Sequence, residues 1–412
     1  MMQFLFGLLH KGRGKAVETT LGRKVSPGLR EGLLKWTERE IKDKSSRLQI
    51  EPVDLFHCLS FQLCSLPVSQ LHLLCQALRN PYCKIKDLRS DCLRFYSLAT
   101  GKDSPIMGPY SHSSLHLHDA SVFCRLIFCH LTASCGRDLS LVFETNQHLT
   151  DLEFVKNTLE DSGMKLLCEG LKQLNCVLQT LRLYRHLISS SCGALAAVLS
   201  TNQWLTELEF SETKLEASAL KLLCEGLKDT NCKLQKLKLC ASLLPEGSEA
   251  VCRYLACVLI CNPHITELDP SENPLGDIGV KYLCVGLRHS NCKVEKLDLS
   301  TCHLTDASCV ELSSFLQVSQ ALKELFVFAN VLGDTGVQHL CEGLQHTKGI
   351  IENLVLSEYS LSAACCEPLA QVLSSTWRLT RLILINNKIE DMGLKLLCEG
   401  LKQPDCHLKD LV

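Results

Sequence analysis

Short stretches in which a large apolar residue alternates with a polar one recur along the chain, and each is followed by a longer stretch whose apolar residues fall three and four apart. Alternation of period two predicts a strand buried on one face, whereas spacing of three and four predicts a helix with one apolar stripe. Leu152-Glu153-Phe154 and Leu208-Glu209-Phe210 are strands of this kind, and DSGMKLLCEGLK from Asp161 is such a helix. The order strand, turn, helix then repeats. LCEGLK and its variants return with their cysteines at Cys168, Cys224, Cys284, Cys341 and Cys398, in steps of 56, 60, 57 and 57 residues. A second cysteine series closes LTASC, LISSSC, LTDASC and LSAACC at Cys135, Cys192, Cys309 and Cys366, with Cys252 in a more divergent copy. Two interleaved series with a period of about 57 define paired half-units of about 28 and 29 residues, each long enough for one strand and one helix.

One half-unit type reads TDLEFVKNTLEDSG from Thr150, TELEFSETKLEASA from Thr206, TELDPSENPLGDIG from Thr266, KELFVFANVLGDTG from Lys323 and TRLILINNKIEDMG from Thr380. The other reads LQTLRLYRHLI from Leu178, LQKLKLCASLL from Leu234, VEKLDLSTCHL from Val294 and IENLVLSEYSL from Ile351. Each turn after the strand needs a polar side chain to pair inward-facing backbone groups. Asn157, Asn273, Asn330 and Asn387 hold that place in the first type, with Thr213 as the departure.

These repeats resemble the ribonuclease-inhibitor subtype of leucine-rich repeats, and most closely those of NACHT-LRR-pyrin proteins. The resemblance implies an α/β leucine-rich-repeat solenoid of horseshoe form over residues 121–412, about ten repeats, ending at HLKDLV without a cap. It extends to residues 1–65, where FLFGLLHK, GLREGLLKW and DLFHCLSFQ look like the end of the helical region that joins a NACHT module to its repeats. Residues 66–120 read as a degenerate first repeat, LHLLCQALRNPYCKIKDL, followed by the Gly/Pro/Ser-rich insertion ATGKDSPIMGPYSHSSLH.

Composition narrows the chemistry. Lys plus Arg number 43 against 45 Asp plus Glu, a formal net charge of -2, so no basic field points to nucleic acid or to a membrane. The local excess of eleven basic over five acidic residues between Lys11 and Arg47 reads as a solvated helical face. No run approaches the roughly 18 apolar residues of a membrane span, and the apolar run Phe4 to Leu9 precedes the basic residues, the wrong order for a signal peptide. The 26 cysteines are therefore expected to be reduced core residues of a cytoplasmic chain.

Candidate catalytic groups do not assemble. The nearest approach to a phosphate-binding loop, Gly7 to Arg13, lacks the Lys and the Ser/Thr that would reach phosphate and Mg²⁺. His112, His116 and His118, with Cys124 nearby, have no companion Cys-x2-Cys pair and read as a surface loop rather than a zinc site. Cys365-Cys366 is explained by packing, because Cys366 falls on the repeat series. No enzyme activity, cofactor, metal or small-molecule substrate is expected; the partners are proteins.

The resemblance implies a protein-interaction module in cytosolic innate-immune sensing or inflammasome regulation, as a truncated or decoy form, or with an oocyte or early-embryo role. A ribonuclease inhibitor is the rival, but it calls for a strongly acidic concave surface. Strand alternation places Glu153, Arg182, Glu209, Lys238, Asp269 and Asp298 on that surface, then Phe326, Val355 and Ile383. With Phe328 and Ile385 one outward position further on, the last three strands carry a candidate apolar partner-binding patch.

Overall fold

The computed structural model describes residues 75–79 except 77, 87–89, 122–127, and 133–412 except 156–158, 186–188, 244–246, 347–349, 358–360 and 376–377. The helical segment expected at residues 1–65, the insertion, the three histidines and Asn157 lie outside the described residues. The chain divides into two compact units, Met1–His186 and Leu187–Val412.

In the first unit, strands β1 (Asp87–Arg89), β2 (Val122–Ile127), β3 (Leu149–Val155) and β4 (Thr180–Tyr184) pair in parallel in chain order, with α1 (Ala133–Thr145) and α2 (Asp161–Leu171) between successive strands. Leu152 and Phe154 of β3 and Leu181 and Leu183 of β4 are buried, as the alternation requires.

The second unit repeats the plan with shorter strands: β5 (Glu207–Ser211), β6 (Lys236–Lys238), β7 (Glu267–Asp269), β8 (Lys296–Asp298), β9 (Glu324–Phe326), β10 (Asn353–Val355), β11 (Arg381–Ile383) and β12 (Asp410–Leu411). Each pairs in parallel with the next. Its helices are α3 (Cys192–Thr201), α4 (Ala217–Leu227), α5 (Ser248–Cys261), α6 (Gly276–Leu287), α7 (Asp306–Val318), α8 (Gly333–His346), α9 (Cys366–Ser375) and α10 (Glu390–Leu401). Leu208, Leu237, Leu268, Leu297, Leu325, Leu354 and Leu382 stack as one buried row against the helices. Burying such a side chain stabilises by about 1.5–3 kcal/mol, so the row supplies much of the layer's cohesion. This is a leucine-rich-repeat solenoid.

Two small-residue contacts set how closely successive helices pack. The glycine of LCEGL meets Ala or Ser of the preceding helix: Gly226 against Ala196, Gly286 against Ala256, Gly343 against Ser313 and Gly400 against Ala370. The glycine near the helix start meets the other cysteine series, Gly279 against Cys252, Gly336 against Cys309 and Gly393 against Cys366. The two cysteine series are thus compact apolar side chains in the helix layer, all buried except the half-buried Cys398 of the last repeat. A cross-brace recurs as well. Asp277 accepts hydrogen bonds from the Thr305 N–H and hydroxyl at 2.9 and 2.7 Å, and Asp334 accepts them from Ser362 at 2.9 and 2.6 Å.

The turn ladder is complete at three asparagines. Asn273 donates to Leu239 O and Pro270 O, both at 2.8 Å, and accepts from the Leu243 N–H at 2.8 Å. Asn330 and Asn387 repeat the arrangement one period apart. Thr213 is buried with its hydroxyl unpaired, and its N–H donates instead to the Ser242 hydroxyl at 3.3 Å. The other half-unit type also uses the position: Ser242 donates to Cys240 O at 2.9 Å, and the Cys302 thiol lies 3.4 Å from Ser300 O. The sequence pattern marks polar ladder residues in one type alone, because a serine and a cysteine hold the place in the other.

Burial also settles the thiol chemistry. It pushes the thiols of Cys224, Cys252, Cys284 and Cys309 up to about 12, which suppresses the thiolate that reacts. The described cysteines are all free thiols, and Cys257 and Cys261 on α5 are exposed. Brief treatment with iodoacetamide at pH 7.5 is expected to alkylate those two first and to leave the four buried thiols untouched until unfolding. Peptide mass spectrometry reads this directly, and early modification of Cys224 or Cys284 would show that the helix contacts open readily.

Candidate functional site

Leucines point from the strands towards the helices, so the residues flanking them line the other face of the sheet. In the first unit that face carries Asp151 and Arg182, 3.8 Å apart, beside the buried Glu153. In the second unit two rows cross successive strands. The outer row runs Glu207, Lys236, Glu267, Lys296, Glu324, Asn353 and Arg381; the central row runs Glu209, Lys238, Asp269, Asp298, Phe326, Val355 and Ile383.

Glu267 is the hub of the charged part. Lys296, Lys238 and Lys236 place their Nζ atoms 3.3, 3.6 and 3.7 Å from its carboxylate. Burial pushes that carboxyl up, but Lys238, Lys296 and Lys236 together outweigh it and hold Glu267 below the usual carboxylate range. Lys238 is affected in the opposite sense: burial lowers it, and Glu209, Glu267, Glu207 and Asp269 hold it above the ordinary ammonium value.

The next acidic residues are differently placed. Asp269 and Asp298 occupy the same position on adjacent strands, and neither makes an ion pair; each accepts a backbone N–H two residues on, from Ser271 at 3.0 Å and Ser300 at 2.9 Å. Burial pushes the Asp298 carboxyl up to about 7, and the charge of Asp269 adds to the rise, while Ser300 and Lys296 pull the other way. A carboxyl raised in the folded state stabilises where it is protonated in that state, and the benefit is lost as pH rises from about 4 to about 7. Asp298→Asn keeps an acceptor for Ser300 without the charge. It is therefore expected to stabilise the second unit by about 1–3 kcal/mol at pH 8 and by almost nothing at pH 4, as read by urea titration at both. An equal effect at the two pH values would remove the charge explanation.

The apolar patch begins on the following strand. Phe326 pairs in register with Asp298 on one side and with Val355 on the other, and Val355 with Ile383. Lys296 Nζ lies 5.4 Å from the Phe326 ring centroid, within cation–π range. Phe326, Phe328 and Ile383 are half-buried and Ile385 is 45% exposed, so these four offer surface. Val355 does not: it is 6% exposed, flanked by Phe326 and Ile383, and serves as the floor of the patch. Ser271 and Ser300, placed on this face by alternation, are fully buried with unpaired hydroxyls, because the chain turns inward after the three-residue strands. Alternation predicts which side a residue takes, and only the packed neighbours decide its exposure.

Among the described residues, no group of three or more His, Cys, Asp or Glu side chains is placed to hold a metal ion. No helix among them is long and apolar enough to cross a membrane.

Residues 1–60 match the family model for the NLRC4 helical domain HD2. Residues 145–168, 261–284 and 290–313 match that for the leucine-rich repeat. The chain is 37% identical to the human NACHT, LRR and PYD domains-containing protein 12, an alignment that takes in 99% of this chain and 39% of that protein. Against the corresponding protein 3 of Macaca mulatta the identity is 35%, over all of this chain and 41% of the relative. The ribonuclease inhibitor of Sus scrofa is 38% identical over 70% of this chain and 62% of the inhibitor. The chain thus spans about two fifths of the NACHT, LRR and PYD relatives it matches. Its half-units, its parallel sheet and these similarities agree, and the chain corresponds to the leucine-rich-repeat region of the NACHT-LRR-pyrin family, built from repeats of the ribonuclease-inhibitor type.

Proposed function

We propose that this chain is a non-enzymatic protein-interaction module whose partner docks on the sheet face around Phe326. The observation that carries the reading is the abrupt change along the central row, from Lys238, Asp269 and Asp298 to Phe326 and Ile383 over neighbouring strands. A contiguous apolar surface beside charged rows is the usual mark of an interaction site. Membership among the NACHT-LRR-pyrin repeats supports a setting in the cytosol, in innate-immune sensing or inflammasome regulation, with relatives of the same family as partners and the isolated repeats acting as a decoy.

Affinity purification from cytosolic extract tests it, with the intact chain and with Phe326→Ser/Phe328→Ser as paired baits. Both rings are partly exposed, so the double variant is expected to keep its circular dichroism spectrum and thermal midpoint while losing association. Burial of one such ring is worth about 1.5–3 kcal/mol, which is tenfold or more in affinity per ring. Equal recovery of family members by both baits would sink the proposal.

The similarity to ribonuclease inhibitor favours a second reading, in which the chain blocks a ribonuclease. That reading calls for a strongly acidic concave surface, whereas here Lys236, Lys238 and Lys296 converge on Glu267 and the acidic stretch gives way to an apolar one at Phe326. Stoichiometric inhibition of pancreatic-type ribonuclease by the purified chain would establish that reading in place of the first.

A further inference from the structure

The docking face has two halves, and together they specify more than an apolar partner. Asp269 and Asp298 stand side by side without an ion pair, although three lysines are close by. Those lysines are committed elsewhere: Lys236, Lys238 and Lys296 all reach the Glu267 carboxylate within 3.7 Å. Lys238 and Lys296 offset these two charges only from beyond ion-pair distance, so the neighbouring carboxylates still repel one another and attract a cation offered from outside. On the following strand stands Phe326, paired with Asp298 in register, and beyond it the floor at Val355 and the exposed Ile385.

Resting on the docking reading above, we infer that the segment received here carries a lysine or arginine close to a large apolar side chain. The cation lies over Asp269 and Asp298, and the apolar group lies on Phe326, Phe328 and Ile383. Adjacent strands are about 4.8 Å apart, so the step from the acidic pair to the patch is about 5 to 10 Å. That matches side chains two or three residues apart in an extended segment, at about 3.3 Å per residue. Arginine suits the place better than lysine, because its planar fork can bridge two carboxylates. The charged and titratable groups around Asp298 are Asp269 and Glu267 on β7, Lys296 on β8, Glu324 on β9, Lys238 on β6 and the buried Cys302; of these Asp269 raises its carboxyl and Lys296 lowers it. A bound guanidinium favours the ionised pair, so binding is coupled to release of a proton near neutral pH.

A random dodecapeptide phage library selected on the full chain at pH 8 supplies the probe. The expected result is enrichment of peptides with Arg or Lys within three positions of Phe, Leu, Trp or Ile. A synthetic peptide of the enriched sequence should lose tenfold or more in affinity to Asp269→Asn/Asp298→Asn, and it should bind the intact chain several-fold more weakly at pH 5.5 than at pH 8. The Asn pair should abolish that pH dependence. Asp298→Lys is expected to redirect selection towards peptides with Glu or Asp at the cationic position, an outcome that a misfolded variant does not produce. The docking reading and this one fail differently. Peptides lost to Phe326→Ser yet indifferent to the aspartates leave the docking reading standing and overturn the inference. A library that yields no binders, or binders indifferent to both changes, sinks both.

Discussion

Asn330→Ala is expected to cost the second unit about 3–5 kcal/mol, more than any other single change of a polar side chain considered for this face. Asn330 is 5% exposed and closes two turns at once. Its amide nitrogen donates to Val327 O at 2.7 Å and to Leu299 O at 2.9 Å, and its oxygen accepts from the N–H groups of Cys302 and Leu304 at 2.9 and 3.0 Å. Alanine leaves those four backbone groups without this partner in a place where water enters poorly, and each buried group left unpaired costs about 1–3 kcal/mol. Partial rearrangement sets the net loss below the simple sum. In a solenoid each layer is held chiefly by its neighbours, so the damage is expected to concentrate between β8 and β10. Hydrogen exchange of the Cys302 and Leu304 amides should accelerate before that of β6. Asn330→Asp separates the contributions, since it keeps the two accepted bonds, loses the donated ones and buries a charge; it should be at least as damaging at pH 8 and milder at pH 4. A urea midpoint for Asn330→Ala within about 1 kcal/mol of the intact chain would mean that the ladder is not what pairs these turns.

Much of this was legible in the sequence because repetition amplifies weak signals. One Leu-x-Leu is ambiguous, but Leu208, Leu237, Leu268 and Leu297 at matching places in successive half-units fix strand, register and buried face together. Register in turn made the row from Asp298 to Phe326 and Val355 readable before any coordinates. Properties that depend on what lies across the layer were not readable. Val355 alternates like Phe326 but is covered by its neighbours, and Ser271 and Ser300 follow their strands yet turn inward. The convergence of three lysines on Glu267, which leaves Asp269 and Asp298 without an ion pair, joins residues about 30 positions apart through side-chain reach. No local pattern encodes that. The ladder was half legible: Asn273, Asn330 and Asn387 announce themselves, whereas Ser242 and Cys302 do the same job with side chains that pass for ordinary turn and core residues.

The glycine of LCEGL was visible as a repeat, but its reason lies in the neighbouring helix, and a pair of opposite effects tests that reason. A Cβ built on Gly286 would stand 2.6 Å from both the Cα and the carbonyl oxygen of Ala256, and backbone atoms cannot swing away as a side chain does. In an isolated helix, glycine to alanine stabilises by about 0.8–1 kcal/mol, because it reduces the freedom of the unfolded chain and improves helix propensity. Here the clash wins. Gly286→Ala must separate α5 from α6, and overpacking of this kind costs about 1–3 kcal/mol. Gly286→Leu is expected to cost more than Gly286→Ala, since it drives the two helices further apart and opens gaps under Leu255 and Leu283, both at most 1% exposed. Gly193, near the start of α3, meets nothing within 4 Å of its built Cβ. The same substitution there is therefore expected to be neutral or to stabilise by up to about 1 kcal/mol. Urea titrations of Gly286→Ala and Gly193→Ala should move the midpoint in opposite directions. If both variants were stabilised, the close approach of α5 and α6 would be wrong, and the recurring glycine would need some other cause than the Ala or Ser that faces it in each preceding helix.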